Sequence, residues 1–383
     1  FFHAEDGIRD PLWSRGLGDV YKRQILIAAR GNLAKYYGRS VAANDYMVQL
    51  LKIWDIVEQN YENGLSSDVI KISEAYADGI NHYASLHPDK AFKGVFPVEG
   101  KDIVAGFIHR MPLMFGLDGT LGRLASNEYP SKDKSSSAYQ SKALNQRMLG
   151  SNVIALSPER TDDKSTRILI NSHQPWVGPV AWYEVHLNSN EGWNMIGGLF
   201  PGSPVVLVGH NENIGWSHTV NSPDLIDTYE LTINPQNPNQ YYFDGRYENF
   251  EISEAKIKVK IWGPIKWTFK RKVFRSKHGP VIKNDHGSYA VRYSGHNEFR
   301  YLEQWYRMNK SKNFNDFEKA LKLMAIPMFN TIYADKTGNI FYLYNALFPN
   351  RKDGYNWEGS PLKGNTSENL WKDYLPYKDL PKI

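Results

Sequence analysis

The stretch "GSNVIALSPERT", residues 150–161, sets Gly-Ser-Asn at the head of an apolar run that reads as a buried strand. A serine at that place is either a turn residue entering the strand or a nucleophile that does not stay in mid-chain. The rest of the sequence removes several other chemistries. There is no cysteine, so thiolate nucleophiles, disulfides and cysteine-bound zinc are excluded. No GxGxxG or GxxxxGK[ST] occurs, and no HExxH, so nucleotide binding and catalytic zinc have no support. There is no GxSxG elbow: in "PGSPVVLVG", Pro204 forbids the helix that such an elbow needs. His173 in "NSHQPW" and Asn330 in "MFNTIYAD" carry groups useful in acyl chemistry. Each taken alone reads as a structural histidine and a capping or turn asparagine.

Those residues need elements to hold them. A chain of 383 residues can form one large domain or two interlocked ones. Eleven Trp and twenty-four Tyr suit an aromatic-lined core or pocket. The net charge of +5 is modest, apart from a basic segment from Lys256 to Lys277. That segment alternates apolar and polar residues, which reads as a solvated strand face rather than a nucleic-acid site. No stretch has the length of a transmembrane helix. Residues 1–24 match no targeting pattern and read as translated adapter sequence joined to a truncated frame. Missing cysteine fits an exported protein.

Residues 25–125 read as helices. "DVIKISEAYADGINHYASL" puts Ile70, Ile72, Ala75, Ile80 and Tyr83 on one stripe that ends near His87-Pro88. "GKDIVAGFIHRMPLMFGL" is a second helix, with Pro112 near a break. Residues 126–150 are rich in Ser and Lys and read as a surface spacer. From 151 to 383 short β-branched or aromatic runs follow one another. One helix, "NFNDFEKALKLM", interrupts them, and Lys336-Thr337-Gly338 turns between "NTIYAD" and "NIFYLY". Helices followed by many strands predict an α+β fold.

"LGSNVIALSPERT" with "ILINSHQPW" and "LFPGSPVVLVGHNENIGWSHTVNSPDLIDTYEL" resembles the penicillin acylase family of N-terminal-nucleophile (Ntn) hydrolases. "EAYADGINHY", "HGPVI" and "NTIYADKTGNIFY" extend the resemblance over most of the chain. It implies an αββα sandwich of stacked antiparallel sheets between helical layers. It implies a precursor cut before Ser151 into α and β chains that stay together as a heterodimer. The β-chain portion looks shorter than family β chains, as expected of a fragment.

After such a cut Ser151 carries its own α-amine, which titrates at about 8 in model peptides and can accept the hydroxyl proton. The resemblance implies two-step acyl transfer from a small N-acyl amide. Acyl-homoserine lactones and β-lactam side-chain amides are the expected substrates. The backbone N–H of Val220 and the side-chain amide of Asn330 would meet the oxyanion. His173 would stand near the serine amine, Asn152 would orient the chain start, and Arg351 in "LFPNR" matches a family arginine. Trp176, Trp182 and Phe200 are expected in the acyl pocket. Asp224 and Asp227 in "DLID" resemble calcium ligands, but Phe341 stands where another acidic ligand is expected, so they read as structural acids in a loop rather than as a metal site. No other cofactor, no nucleic acid and no membrane span are implied, and the family's location is periplasmic or secreted. The competing readings are another amide substrate, an unprocessed binding protein on the same fold, and a carbohydrate-binding module.

Overall fold

The computed structural model describes residues 24–89, 91–126, 150–174, 180–358 and 361–383. The readings of 1–23 as foreign and of 127–149 as a spacer lie outside these residues, as does Trp176. Residues 24–29 are helical, and α1 (Leu33–Tyr37), α2 (Ala42–Leu50) and α3 (Ile53–Gly64) follow. The long helix α4 (Ser67–Leu86) is capped by Ser66, whose Oγ accepts the Val69 N–H, and stops at His87 before Pro88. Its most buried line is Val69, Ser73 and Ala77, at helical spacing of four. Ala75 and Tyr83, expected on that line, face solvent, because small side chains let the helix sit close to its neighbours. The next helix, α5 (Gly100–Met114), opens on a capping box in which the Glu99 N–H donates to Asp102. It runs through Pro112 instead of breaking there. Pro112 sits in the last turn, where its missing N–H costs one ladder bond. A short α6 (Leu117–Leu124) ends this helical part.

Strands dominate from Gly150 onward. β1 (Gly150–Leu156) and β2 (Arg167–His173) form a two-stranded antiparallel ribbon. β3 (Tyr183–Ser189), β4 (Trp193–Leu199), β5 (Val208–His210) and β6 (Ile214–Thr219) come next in the chain. They join β15 (Asn330–Asp335) and β16 (Ile340–Tyr344) in a six-stranded sheet ordered β16-β15-β6-β5-β4-β3. β7 (Ile226–Glu230), β11 (Glu251–Trp262), β12 (Ile265–Ser276), β13 (Gly279–Asn284), β14 (Gly287–Tyr293) and β17 (Leu362–Lys363) form the other six-stranded sheet, ordered β11-β12-β13-β14-β7-β17. β8 (Ile233–Asn234), β9 (Asn237–Phe243) and β10 (Arg246–Asn249) make a small third sheet. Two helices, not the expected one, lie between β14 and β15: α7 (Tyr301–Lys310) and α8 (Phe314–Leu321).

The layers follow from the pleat. On one face of the first sheet Trp216 and Tyr333 pack on Phe317 of α8, at ring distances of 5.7 and 4.8 Å. On the other face lies the β1–β2 ribbon. A Cβ at Gly215 would come within 3.0 Å of Ile168, so glycine permits this close approach of β2 to β6. Helix α5 meets α7 through Phe107 and Trp305, 5.8 Å apart. The result is a mixed architecture of helices and largely antiparallel sheets. The ribbon's outer face is open: Ile154 and Leu169, paired across it, are each 54% exposed. Among the described residues no helix is long and apolar enough to cross a membrane.

Among the described residues three imidazoles, His109, His218 and His278, are buried in these layers, and His296 is partly buried. Burial pulls His109, His218 and His278 down to about 4 and His296 down to about 3. The native state therefore refuses protons that the unfolded chain accepts near its ordinary pKa of about 6.5. Stability is complete above that value and falls as the pH drops from there toward 4. Each site contributes a slope of up to about 1.4 kcal/mol per pH unit. Urea unfolding at pH 7.5, 6 and 5 is expected to give steadily lower midpoints. A midpoint that stays level across that range would contradict the buried neutral histidines.

Candidate active site

The ladder between β1 and β2 is complete, from Gly150 opposite His173 to Leu156 opposite Arg167. Strand alternation then divides the catalytic set expected from the sequence. Ser151, opposite Ser172, points inward. Its nitrogen is an amide within the chain, and its hydroxyl donates to the Gly150 carbonyl oxygen. His173 points outward with Asn152 and Asn171. Its Nε2 lies 3.1 Å from Nδ2 of Asn171 and 3.4 Å from Nδ2 of Asn152. Both amides are donors, so Nε2 accepts and the proton sits on Nδ1. That Nδ1 overlies Gly150, where a Cβ would approach to 3.3 Å. His173 thus stands beside the bond preceding the serine, not against the serine hydroxyl.

The first sheet ends at the same place. Asn330 opens β15 opposite Thr219, the last residue of β6. Its Nδ2 donates to Thr219 Oγ1 at 2.9 Å, and its Oδ1 accepts from the Tyr342 hydroxyl at 2.9 Å. The Thr219 and Tyr342 hydroxyls thus bracket the amide, one at each end. One Nδ2 hydrogen is committed to Thr219 and the second is left to donate elsewhere. Alternation carries Asn330 and Thr219 to the ribbon side, while His218 and Thr331 face the helices. Val220, just past β6, is partly exposed.

Ser151 and Val220 share one cavity of about 40 Å³. Trp182 and Phe200 line it as expected, stacked at 4.5 Å. Its other walls were not legible in the sequence. Phe107, Arg110, Met111 and Met114 reach it from α5, Trp305 from α7, and Phe329 from the loop before β15. His218 lines it too, accepting the Trp305 indole N–H at Nε2 over 3.2 Å, so its Nδ1–H faces Thr331 Oγ1. Burial holds this imidazole neutral. Burial also lowers Arg110, to about 10, which leaves it charged at neutral pH. Its guanidinium lies over the Phe107 and Phe200 rings and donates to the Pro201 carbonyl at 3.3 Å.

Arg351 does not reach the cavity. It clamps the loop between Val220 and β7. Nε donates to Asp227 at 2.9 Å, Nη1 pairs with the Asp224 carboxylate at 3.2 Å, and Nη2 donates to the Asp224 carbonyl at 3.1 Å. The Trp371 indole adds a 2.7 Å bond to Asp227. Both carboxylates considered for calcium thus face a guanidinium. Among the described residues no three acidic or histidine side chains converge on a common point.

Phe329 explains how Asn330 is held. Its φ is +87°, a conformation that costs a non-glycine residue about 1–3 kcal/mol. Buried Asn221 accepts the Phe329 N–H at 2.8 Å and donates to the Asn345 carbonyl at 3.0 Å. Asn345 in turn donates to the carbonyls of Ile326 and Met328. The only sequence signal for these two asparagines is polarity at strand ends.

The layers and the serine at a strand head define the class, an Ntn-hydrolase fold. A thermostable penicillin G acylase from Alcaligenes faecalis superposes with a TM-score of 0.53 at 26% identity, covering 60% of this chain and 41% of that one. The penicillin amidase family model matches residues 24–383, and the chain belongs to that family. The acyl-homoserine lactone acylase PvdQ of Pseudomonas fluorescens (strain Pf0-1) is 26% identical over 88% of this chain and 48% of its own length. Aculeacin-A acylase of Actinoplanes utahensis is 28% identical over 52% of this chain and 26% of its own. The chain therefore spans about half the length, or less, of the relatives it matches.

Asn221→Leu keeps the volume but orphans the Phe329 N–H and the Asn345 carbonyl, at a cost of about 1–3 kcal/mol. Chemical denaturation is expected to report that loss. An unchanged midpoint would mean that the strained turn is held by other contacts.

Proposed function

We propose that the whole protein is an amidohydrolase of N-acyl compounds that works through an acyl-serine intermediate on Ser151. The observation that carries this reading is the placement of Ser151 and Val220 in one apolar cavity, at the strand ends where Asn330 also sits. Cutting before Ser151 converts its amide nitrogen into an α-amine. That amine takes the Oγ proton as Oγ attacks the amide carbonyl. The C–N bond then breaks, the amine leaves with a proton, and water releases the acid in a second round. The Val220 N–H and the second Nδ2 hydrogen of Asn330 are the oxyanion donors. His173, beside Gly150, polarises the group next to the new amine. Arg351 is a positioning residue that fixes the loop following Val220 through Asp224 and Asp227.

The wall chemistry supports an apolar acyl group, since Trp182, Phe200, Met111 and Met114 offer little but carbon and sulfur. The relatives' names point to acyl-homoserine lactones and to acylated antibiotics. The cavity holds about three water-sized groups. A long acyl chain therefore requires the two methionines to shift, which their flexible side chains allow. A periplasmic or secreted location and a two-chain mature form complete the reading.

The test is mass spectrometry and N-terminal sequencing of protein made from its complete reading frame, with hydrolysis of an N-acyl panel graded by chain length. Two chains are expected, one beginning at Ser151, together with release of free amine. Ser151→Ala is expected to leave a single chain and no turnover. One intact chain from the unaltered protein, binding N-acyl amides without hydrolysis, would favour a non-catalytic binding protein instead. Asn330→Ala is expected to lower kcat by about 10²–10³. A near-normal kcat would show that the oxyanion is met elsewhere.

A further inference from the structure

The basic segment does not belong to the catalytic cavity. β11 and β12 pair from Glu251 opposite Arg275 to Trp262 opposite Ile265, so the hairpin is long and its two faces are defined by register. Opposite residues share a face. One face carries Lys256, Lys258, Lys260, Lys266, Lys270 and Lys272. The other carries Ala255, Ile257 and Val259 opposite Arg271, Phe269 and Trp267. Along β11 as far as Val259 this apolar face is covered: Ile257 and Val259 pack on Ala34, Val41 and Tyr46 of the helical part. Backbone groups at Lys256 and Lys272 bond to Gln49 and Tyr46.

Toward the tip the covering stops and the apolar residues continue. Trp262 is 76% exposed and Trp267 65%, and Ile261, Ile265 and Phe269 are exposed beside them. Residues 251–276 hold eight basic and two acidic side chains, a net of +6 against +5 for the entire chain. The protein's whole positive excess therefore sits on this one projection. Lysines alone would be explained as protection of β11, the edge of its sheet, against pairing with other strands. That explanation does not cover two exposed tryptophans and two isoleucines at the tip, which edge protection would exclude.

We propose that the β11–β12 hairpin docks on an anionic lipid surface, with its tip among the headgroups and its lysines facing the charged layer. Indole rings prefer the interface between headgroups and acyl chains. Lysines near such a surface are drawn to its negative charge, an attraction that salt screens. Charge complementarity selects an anionic over a neutral bilayer. The isoleucines beside the tryptophans select a bilayer over a nucleic acid, which has no acyl layer to receive them. The contact is peripheral. It leaves the Ser151 cavity outside the membrane and does not depend on what that cavity hydrolyses.

The test is co-sedimentation of the whole protein with vesicles of phosphatidylcholine alone and of phosphatidylcholine with phosphatidylglycerol. It compares the unaltered chain with Trp262→Ser/Trp267→Ser and with Lys258→Glu/Lys260→Glu. The unaltered protein is expected to sediment with the anionic vesicles only, and less so at high salt. Each double variant is expected to bind about tenfold more weakly or worse. All these positions are exposed, and circular dichroism of each variant is expected to match the unaltered protein. Equal binding to both vesicle types, no binding to either, or full binding by either folded variant would overturn the proposal. So would tryptophan-dependent self-association without lipid, which would make the tip a contact between copies, or retention by nucleic acid in place of vesicles.

Discussion

The site rests on the register between β6 and β15. Because side chains alternate along a strand, that register decides which residues meet the ribbon and which meet the helices. With Asn330 opposite Thr219, the amide and hydroxyl face the ribbon that bears Ser151. His218, Trp216 and Tyr333 then face α7 and α8, where Trp305 and Phe317 receive them. A slip of one residue would reverse both sets at once. It would press an amide among aromatic rings and bring a buried imidazole to the ribbon. Trp216 is fully buried and its indole N–H is bonded to the Leu207 carbonyl at 3.0 Å, so the helix side locks the register that the ribbon side uses.

Two polar clamps extend that order past the strand ends. On one side Asn221 and Asn345 hold the loop that leads into Asn330, including the strained Phe329. On the other, Arg351 fixes the segment after Val220 through Asp224 and Asp227. Buried ionic groups cost desolvation energy, so such a clamp contributes geometry more than stability. The same reasoning applies to Arg110, whose charge persists within an apolar wall because aromatic faces and a carbonyl surround it.

Much of this was legible in the sequence because the code for strands is local. The runs around Val153, Leu169, Val185, Ile332 and Tyr342 alternate or are β-branched, and all are strands. Trp182 and Phe200 were expected in the pocket and line it. Helix α7 was missed for a physical reason: its buried face includes Glu303, Gln304 and Asn309. Gln304 accepts two backbone N–H groups, from Ala325 and Ile326, and Asn309 bonds both polar groups of Val206. Its apolar stripe of Tyr301, Leu302, Trp305 and Met308 is interrupted by these buried polar connectors, which makes it harder to read. The cavity's α5 wall was hidden by distance, since nothing local ties Phe107 or Met111 to Ser151.

The bond before Ser151 gives the proposed chemistry its order in time. Six of the seven rungs between β1 and β2 lie at or beyond Ser151, so breaking the bond forfeits at most the Gly150–His173 rung. The strand that carries Ser151 would therefore keep its place through the proposed cut, together with the cavity and the Asn330 amide. In the proposed chemistry the uncut chain would lack only the base, because an amide nitrogen does not accept a proton at neutral pH. A Cβ at Gly150 would lie 3.3 Å from His173 Nδ1, so a bulkier residue there would crowd the imidazole that stands beside this bond. The glycine thus answers to the histidine across the ribbon as well as to the serine beside it. Under the proposed chemistry, walls set by the fold and a base made by the cut would give a site that one peptide bond holds inactive.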